Sequence, residues 1–387
     1  MNYIHFSPHF PSNYCAFSAA LKKNGVNVLG IGDAHWDQLS HNLKESLSEY
    51  YRVDDLHNNH QLLDAADYFI NRYSKIDGID SHNEYWLERE AMLRDKFDIA
   101  GLKPEQLATI RSKSEMKKIF RKASLRVAAG KVVQNINEAR ELIQETGFPV
   151  VGKPDKGVGA ADTYKICNDE ELEGFFSSKP PIDYIMEAFV DGDIISFDGL
   201  VGKDGELLFF TAMQNEKGVM EVVHQDSHVY YYTHRDVPAD LEAAGRKALK
   251  AFDVKGRFFH FEFFREHKTG ELVALEVNMR PPGGFSTDMF NYSCDIDVYQ
   301  AWADMISGKK NGFTFERKYH VCFVSRKSRF AYALSHEEVM NRFGGNIVFS
   351  SGIDGALAKA MGDFCYLVRS ENLDEMFEIQ KAIHQMG

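Results

Sequence analysis

The spacing of apolar positions changes along the chain, and the changes predict where strands and helices lie. Val26–Ile31 is a continuous apolar run with the length of a strand that is buried on both faces. Apolar residues three and four positions apart predict a helix over Gln61–Tyr73. Because such strands and helices alternate through the first hundred residues, we expect a parallel sheet flanked by helices.

Antiparallel hairpins replace this pattern in the second half of the chain. The first hairpin joins Ile194–Val201 to Glu206–Ala212 through a segment that contains Asp-Gly, a strong turn signal. The second joins Arg257–Arg265 to Glu271–Asn278. Together they predict an antiparallel sheet.

These patterns divide the chain into three expected regions: an N-terminal α/β domain over residues 1–107, a linker helix and small subdomain over 108–187, and a C-terminal antiparallel domain over 188–387. Helical spacing predicts one helix over Met289–Ile306. A tail from about residue 313 has strands and helices of its own. It could complete the core, cover a pocket or form a dimer surface.

Composition excludes several classes of protein. The 387 residues include 45 Lys and Arg against 57 Asp and Glu, a net charge of −12, which is unlike a general nucleic-acid binder. No run of about 18 apolar residues predicts a membrane span, and the first twenty residues lack the pattern of an export signal. Five scattered cysteines suit a reducing compartment. We therefore expect a cytoplasmic protein with no nucleic-acid or membrane partner.

Two familiar motifs are only approximated. In GFPVVGKP, Pro154 replaces the hydroxyl residue of a Walker-type phosphate loop, and the intervening residues are typical of a strand. His224 and His228 have a spacing that could share a metal on a helix, but the residues between them favour a loop. We interpret both histidines as loop residues or substrate contacts.

The second hairpin carries the strongest chemical signal. Side chains two apart on a strand share a face, which would place Glu276, Asn278 and Arg280 together, with Glu262 beside them on the partner strand. Two carboxylates and an amide oxygen form a hard donor set of the kind Mg²⁺ selects, usually with phosphates. Arg280 adds a cation that suits developing negative charge.

The alternative is that these charges form a solvated outer face. The flanking residues Phe261, Phe263, Leu275 and Val277 are apolar and alternate with the charged ones. This alternation predicts one core face and one charged floor, which favours a functional site.

A phosphate-binding counterpart lies earlier in the chain. Lys153 ends a strand just before the small residues of DKGVGAA, where backbone N–H groups can approach a phosphate. Lys113 begins an earlier helix and is a second candidate cation, although taken alone it would be an ordinary surface lysine.

This ordered set resembles the ATP-grasp superfamily, which includes D-alanine–D-alanine ligase, biotin carboxylase, carbamoyl-phosphate synthetase and the L-amino-acid ligases. The resemblance covers about residues 1–310. It depends on Lys113, on Lys153 with Gly157 and Gly159, on the hinge-like YIMEAFVDG of 184–192, and on Glu262 followed by Glu276-Val-Asn278-Met-Arg280. It implies an α/β (α+β) ATP-grasp fold with an N-terminal Rossmann-like parallel-sheet domain, a small mobile lid and a C-terminal antiparallel-sheet domain.

The resemblance also implies roles for individual residues. ATP would be contacted by Lys113, Lys153, Gly157, Gly159, Glu187, Ala188, Phe189 and Val190, the last four lining adenine largely through backbone groups. One or two Mg²⁺ ions, for which Mn²⁺ could substitute, would be held by Glu262, Glu276 and Asn278, and Arg280 would stabilise the intermediate. The family's usual ribose acid falls here on Ile194, which leaves the adjacent Asp193 as a candidate.

The expected activity is that of an ATP-dependent ligase. ATP would phosphorylate a small carboxylate, an amine (or a thiol) would attack the acyl phosphate, and ADP and phosphate would leave. Alternatives are a small-molecule kinase with the same ATP site and a non-catalytic nucleotide-binding module, against which Arg280 counts. No biotin-attachment sequence is present, and a homodimer is left open. Candidate substrate contacts are His224, His228, Tyr230, Arg235 and the loop Pro282–Ser286.

Overall fold

A computed structural model of the chain describes residues 1–157, 162–215, 228–309, 312–353 and 355–387. Two residues singled out above, Gly159 and His224, lie outside these described ranges.

The α-helices in these ranges are α1 (Cys15–Lys23), α2 (His41–Ser46), α3 (Asn59–Tyr73), α4 (Leu87–Lys96), α5 (Pro104–Arg111), α6 (Lys113–Lys122), α7 (Ile136–Thr146), α8 (Asp169–Ser178), α9 (Ala239–Ala251), α10 (Ser286–Cys294), α11 (Val298–Ser307), α12 (His336–Phe343), α13 (Gly355–Met361) and α14 (Leu373–His384). Within the part of the chain that the structure describes, no helix is both long and apolar enough to cross a membrane.

The strands are β1 (Asn2–Phe6), β2 (Asn27–Gly32), β3 (Glu49–Arg52), β4 (Gly78–Asp80), β5 (Gly130–Val133), β6 (Val150–Pro154), β7 (Tyr164–Ile166), β8 (Tyr184–Ala188), β9 (Gly192–Val201), β10 (Leu207–Asn215), β11 (Tyr230–Thr233), β12 (Arg257–Glu266), β13 (Leu272–Asn278), β14 (His320–Arg326), β15 (Ile347–Gly352) and β16 (Phe364–Ser370).

The first four strands form a parallel sheet in the order β3-β2-β1-β4. Its central strands are buried on both faces, as the apolar run at Val26–Ile31 predicts, because helices cover the sheet on either side. The predicted parallel sheet flanked by helices is confirmed.

A small antiparallel sheet follows, in the order β5-β8-β6-β7. The apolar faces of α7 and α8 pack against it around Leu142, Leu172 and Phe175. This unit has its own core, and its strand β6 ends in Lys153 and Pro154.

The third sheet is antiparallel and has eight strands in the order β13-β12-β9-β10-β11-β14-β16-β15. The strands of the tail, β14 to β16, continue this sheet, because β14 pairs with both β11 and β16. The tail therefore completes the central sheet, which was one of the three roles left open by the sequence.

The structure differs from the prediction in one long helix and in several short elements. The single helix expected over Met289–Ile306 is two helices, α10 and α11, because Asp295 takes a left-handed conformation (φ 52°) and Asp297 caps the start of α11. Four short elements, α2, α5, β11 and α13, were not predicted, because none carries a long periodic pattern.

The N-terminal sheet and the central sheet share one core around Trp302 on α11. Its side chain is 1% exposed and meets the rings of Tyr3 and Phe17 at centroid distances of 5.6 and 5.2 Å. Phe258 on β12 meets Phe17 from the other side. These contacts fix the N-terminal domain against the sheet that carries the second hairpin.

We predict that Trp302→Ala lowers the free energy of unfolding by about 3–5 kcal/mol, because a large buried side chain is removed and leaves a cavity. The same change at Trp36, which is 45% exposed, should alter it by no more than about 0.5 kcal/mol. Urea unfolding of both variants checks this. Equal losses at the two positions would mean that Trp302 does not join the domains.

We also predict that stability falls on acidification because His5 is buried in its neutral form. Burial lowers the pKa of His5 to about 3, so below pH 6.5 the unfolded chain takes up a proton that the folded chain does not. The free energy of unfolding should fall by about 1.4 kcal/mol for each pH unit below about pH 6 from this group. His5→Gln should flatten that slope. The exposed His41→Gln should keep it, as measured by urea unfolding from pH 4 to pH 8.

Candidate functional site

Three neighbouring strands place six polar side chains on one face of the central sheet. In the register of the sheet, His260 lies opposite both Asn278 and Asp198, and Glu262 lies opposite both Glu276 and Ser196. Side chains opposite one another in adjacent strands are close enough to interact. We call this set the polar floor: Ser196, Asp198, His260, Glu262, Glu276 and Asn278.

Alternation along the strands produces this floor. The intervening residues Phe197, Phe259, Phe261 and Val277 are fully buried on the other face, under α9. A shift of one residue would bury the acids and expose the phenylalanines, so the hydrophobic face fixes the register. The predicted charged floor and core face are confirmed in their arrangement.

Leu275 departs from the predicted alternation. The pairing of β12 with β13 slips between Glu262 and Phe263, which lies opposite Ala274. The extra residue forms a β-bulge, and Ala274 rather than Leu275 joins the buried core. The bulge lies beside the pair Glu262 and Glu276.

His260 links two carboxylates of the floor. Its Nδ1 lies 2.6 Å from Asp198 Oδ1 and its Nε2 lies 3.0 Å from Glu262 Oε1, while the Ser196 hydroxyl donates to Asp198 Oδ2 at 2.6 Å. Burial alone would lower the pKa of His260, but the Asp198 carboxylate and then Glu262 raise it to about 10. The charged imidazole therefore orients Glu262, and its hydrogen bond holds the pKa of that carboxyl below its usual range.

The pKa of Glu276 is shifted in the opposite direction to that of Glu262. Burial raises its pKa to about 6, with Glu262 and Glu84 adding to the effect and Lys113 opposing it. Two carboxylates side by side in a buried place repel one another unless a cation joins them. The floor is therefore a site that favours a bound cation.

Lys113 and Lys153 face this floor from the small sheet and its linker helix. Both side chains are buried, and both act on the pKa of Glu276, which places them near the acids. Lys113 Nζ donates to the carbonyl of Gly157 at 3.4 Å. The structure thus brings Lys113 and Lys153, from the middle region of the chain, close to Glu276 in the C-terminal region.

Asp155 joins the linker helix α6 to the small sheet. Its carboxylate accepts hydrogen bonds from the Ser112 hydroxyl at 2.7 Å and from the backbone N–H of Ser114 at 2.8 Å, and its carbonyl accepts one from the N–H of Lys113. An acid at the first turn satisfies N–H groups that the helix leaves unpaired. Asp155 therefore positions Lys113 relative to the strand that carries Lys153.

Glu187 is engaged through its side chain, which the sequence reasoning did not anticipate. Its two carboxylate oxygens lie 2.9 Å from Lys117 Nζ and 3.1 Å from Lys153 Nζ, and all three side chains are buried. Burial would raise the pKa of Glu187, but Lys153 and Lys117 lower it. The carboxylate thus stabilises Lys153 in the buried position from which it faces the floor.

The rest of the predicted hinge has a mixed placement. The N–H groups of Ala188 and Phe189 donate to the carbonyls of Ala129 and Pro149, so these groups are used inside the protein. Val190 follows them as a partly buried residue. Their contact with a base stays a prediction.

Asp193 lies away from the floor. It is two residues before Ile195, which belongs to the buried face under α9, and its carboxylate pairs with His267 at 3.1 Å. Ile194 lies on the floor side with Ser196. The position of Asp193 therefore gives no support to its predicted contact with a ribose.

Arg280 lies just beyond the end of β13 and is held by the N-terminal domain. Its Nε donates to Glu84 Oε2 at 3.3 Å, and its Nη1 donates to the carbonyl of Pro281 at 2.8 Å. Glu84 is buried on a short 3₁₀ helix, Glu84–Trp86. The guanidinium also lowers the pKa of Glu262, so it stands within electrostatic reach of the floor.

A cavity of about 350 Å³ opens beside the floor. Of the predicted substrate contacts, Tyr230 and most of the loop Pro282–Ser286 line it. His228 instead contacts Tyr332 at 3.0 Å, and Arg235 donates to the carbonyl of Glu371. Tyr230 and the loop therefore lie at the cavity, whereas His228 and Arg235 have other partners within the protein.

The donor set of the floor suits a hard divalent cation. In the described ranges no three His, Cys, Asp or Glu side chains converge as a complete metal cage. Glu262, Glu276 and Asn278 offer an incomplete set of oxygen ligands, and Mg²⁺ commonly completes such a set with phosphate oxygens and water. With lysines opposite, the arrangement fits a metal-bound polyphosphate.

Comparisons with known proteins identify the fold of the chain. No family model matches the chain. An L-amino acid ligase from Bacillus licheniformis superposes with a TM-score of 0.76 at 14% identity, covering 99% of this chain and 97% of that one. A biotin carboxylase domain of 2-oxoglutarate carboxylase from Hydrogenobacter thermophilus, solved as a dimer with MgADP and bicarbonate, gives 0.74 at 13% identity over 98% and 89%. The chain has the ATP-grasp fold.

A sequence relative points the same way. The L-arginine-specific L-amino acid ligase of Bacillus subtilis is 24% identical over 249 residues, and the match covers 60% of each chain. The chain thus spans less than two thirds of the length of this relative. The predicted ATP-grasp fold and the resemblance to its carboxylate–amine ligases are confirmed.

Sequence reasoning missed several residues of the candidate site. His260, Ser196 and Asp198 could have been found, because they follow the same two-residue spacing as Glu262. Lys117 lies four residues after Lys113, on the same side of α6. Glu84 carries no local signal, because only the tertiary fold brings it to Arg280.

We predict that Glu187→Gln lowers the free energy of unfolding by about 3–5 kcal/mol, because two buried ammonium groups lose their common carboxylate. The matched change Glu141→Gln removes an exposed partner of Lys131 and should cost at most about 1 kcal/mol. Denaturant unfolding of the two variants compares them. Similar small losses would show that the Lys117–Glu187–Lys153 cluster does not depend on the charge of Glu187.

Proposed function

We propose that the chain is an ATP-dependent ligase that activates a small carboxylate as an acyl phosphate and joins it to an amine, releasing ADP and phosphate. One observation carries the proposal: buried Lys113 and Lys153 face an acidic floor beside a cavity that is large enough for a second substrate. Relatives and structural neighbours that are ligases support it.

ATP would lie between the small sheet and the floor. Lys113 and Lys153 would contact its phosphates, and Glu187 would hold Lys153 in place. The hinge residues Ala188, Phe189 and Val190 would border the base. Gly157, whose carbonyl accepts a hydrogen bond from Lys113, would lie beside the triphosphate.

The floor would hold Mg²⁺ through Glu262, Glu276 and Asn278. When bound, the cation would supply neutralisation of phosphate charge during transfer. Binding of one or two ions, and replacement of Mg²⁺ by Mn²⁺, are part of the proposal. Orientation of Glu262 by His260 prepares the donor set before any ion arrives.

The transfer would take place next to Arg280. A carboxylate oxygen of the substrate attacks the γ-phosphorus, the bond to the bridging oxygen breaks, and ADP leaves. The amine then attacks the carbonyl carbon of the acyl phosphate, loses a proton to solvent or buffer, and phosphate leaves. The guanidinium, fixed by Glu84, would stabilise the negative charge that develops on the carbonyl oxygen.

The partners proposed for this site are a small carboxylate and a small amine. A homodimer is part of the proposal, and the neighbouring biotin carboxylase domain was solved as a dimer. We propose a cytoplasmic location, where ATP is available.

The direct test is product analysis with Mg-ATP and a pool of amino acids and small carboxylates. We expect ADP and free phosphate only when the pool is present. Glu276→Ala should lower turnover at least 100-fold, because the cation loses a ligand. Glu271→Ala, a matched change at the exposed end of the same hairpin, should keep turnover within about twofold.

Other products would redirect or overturn the proposal. ADP without free phosphate would mean that the phosphoryl group stays on the acceptor, as in a kinase. AMP and pyrophosphate would exclude an acyl-phosphate mechanism. Nucleotide binding with no turnover on any pool would favour a non-catalytic module.

A further inference from the structure

The cavity beside the polar floor has two chemically different ends. His260 and Glu262 border it at the floor. They are the only charged side chains among the described residues that line it. Beyond them the described wall is mostly apolar, formed by Ile194, Met213, Val229, Tyr231, Leu357, Ala360 and Met361, and its uncharged polar groups come from Ser196, Asn215, Tyr230 and Ser286.

The apolar wall comes from two separate parts of the fold. Met213 and Tyr231 project from β10 and β11 of the central sheet, and Leu357 and Met361 project from the same side of α13, four residues apart. The tail thus brings a helix over the cavity, which a strand-only tail would leave open.

The loop after Arg280 packs tightly against this wall. Gly284 has a φ of +65°, and a side chain there would place its first carbon 2.5 Å from the Met361 methyl group and 2.8 Å from the Tyr231 hydroxyl. Only glycine therefore allows the loop to pass this close. The same loop links the apolar end of the cavity to Arg280.

The difference between the charged end and the apolar end of the cavity limits which chemical groups of a substrate can bind there. A carboxyl group that reacts at the floor directs the remainder of its molecule toward Met213 and Met361. A charged group there would lose its hydration, and the described wall offers it no counter-ion. An aliphatic or aromatic group would gain from leaving water.

We propose that this cavity binds the side chain of the activated carboxylate, and that this side chain is apolar, as in an aliphatic or aromatic amino acid. The inference rests on the proposed function, since it names the class of carboxylate used at that site. It predicts a preference different from that of the L-arginine-specific relative.

Hydroxylamine gives a test that does not need the natural amine. Its nitrogen attacks the acyl phosphate, releases phosphate and leaves a hydroxamate that can be quantified by colour. The full chain with Mg-ATP and hydroxylamine is assayed separately with L-leucine, L-phenylalanine, L-arginine and L-glutamate. We expect kcat/KM for L-leucine or L-phenylalanine to exceed that for the two charged amino acids at least tenfold.

The outcomes separate this inference from the proposed function. Equal or faster reaction with L-arginine or L-glutamate would overturn the apolar subsite and leave the ligase proposal standing. Hydroxamate from none of the four would overturn the subsite as stated. If the wider pool also gave no ADP, the ligase proposal would fail with it.

Substitutions on α13 test whether the apolar end of the cavity determines which amino acid side chain is preferred. Met361→Glu should raise the ratio of kcat/KM for L-arginine over L-leucine at least tenfold, because it places a counter-ion in the cavity. Lys359→Glu adds an acid to the exposed side of the same helix and should leave this ratio unchanged.

A second substitution at Met361 tests the inference without introducing a charge that could prevent folding. Met361→Ala enlarges the cavity without adding charge, and should raise kcat/KM for L-phenylalanine relative to L-leucine at least threefold. An unchanged ratio in both folded Met361 variants, with circular dichroism like that of the parent chain, would show that the cavity does not bind the side chain.

Discussion

The register of three adjacent strands, β9, β12 and β13, decides whether this chain has a site. Each strand alternates between large apolar residues and small polar or charged ones, and the apolar set is buried under α9. Burial of Phe197, Phe259 and Phe261 therefore sets the position of every acid on the opposite face. The pairing of β9, β12 and β13 therefore determines both the packing of the core and the geometry of the floor.

Two of the cations near the floor, Lys153 and Arg280, are each paired with a buried carboxylate from another element. Glu187 holds Lys153, and Glu84 holds Arg280. Unpaired charges would be costly in such a buried place, and these carboxylates offset that cost. The site is thus assembled from the N-terminal domain, the small sheet and the central sheet, and it depends on the packing among all three.

Local patterns predicted much of this arrangement. The two-residue spacing around Glu276 predicted a floor, and the order of Lys113, Lys153 and the hairpin indicated the ATP-grasp fold. Features that depend on tertiary contacts could not be predicted from the sequence. The bulge at Leu275 follows from how two strands pair, and the partnership of Glu84 with Arg280 spans 196 residues.

Other differences have similarly physical causes. Asp295 ends a helix because its backbone turns left-handed, and the periodic apolar residues on either side obscured that break. Alternation along β9 places Asp193 on the face opposite the floor, and its contact with a ribose stays a prediction. The tail was opaque because its first strand, β14, joins the sheet by pairing with β11, which lies about ninety residues earlier in the chain.

The central claim is that the floor binds the cation that accompanies the nucleotide. A crystal structure with Mn²⁺ and a non-hydrolysable ATP analogue tests it most directly, since manganese is located by anomalous scattering. We expect a peak about 2.2 Å from oxygens of Glu262, Glu276 and Asn278, with the phosphates between it and the two lysines. A metal bound away from all three side chains, or a nucleotide that does not reach the floor, would contradict the account.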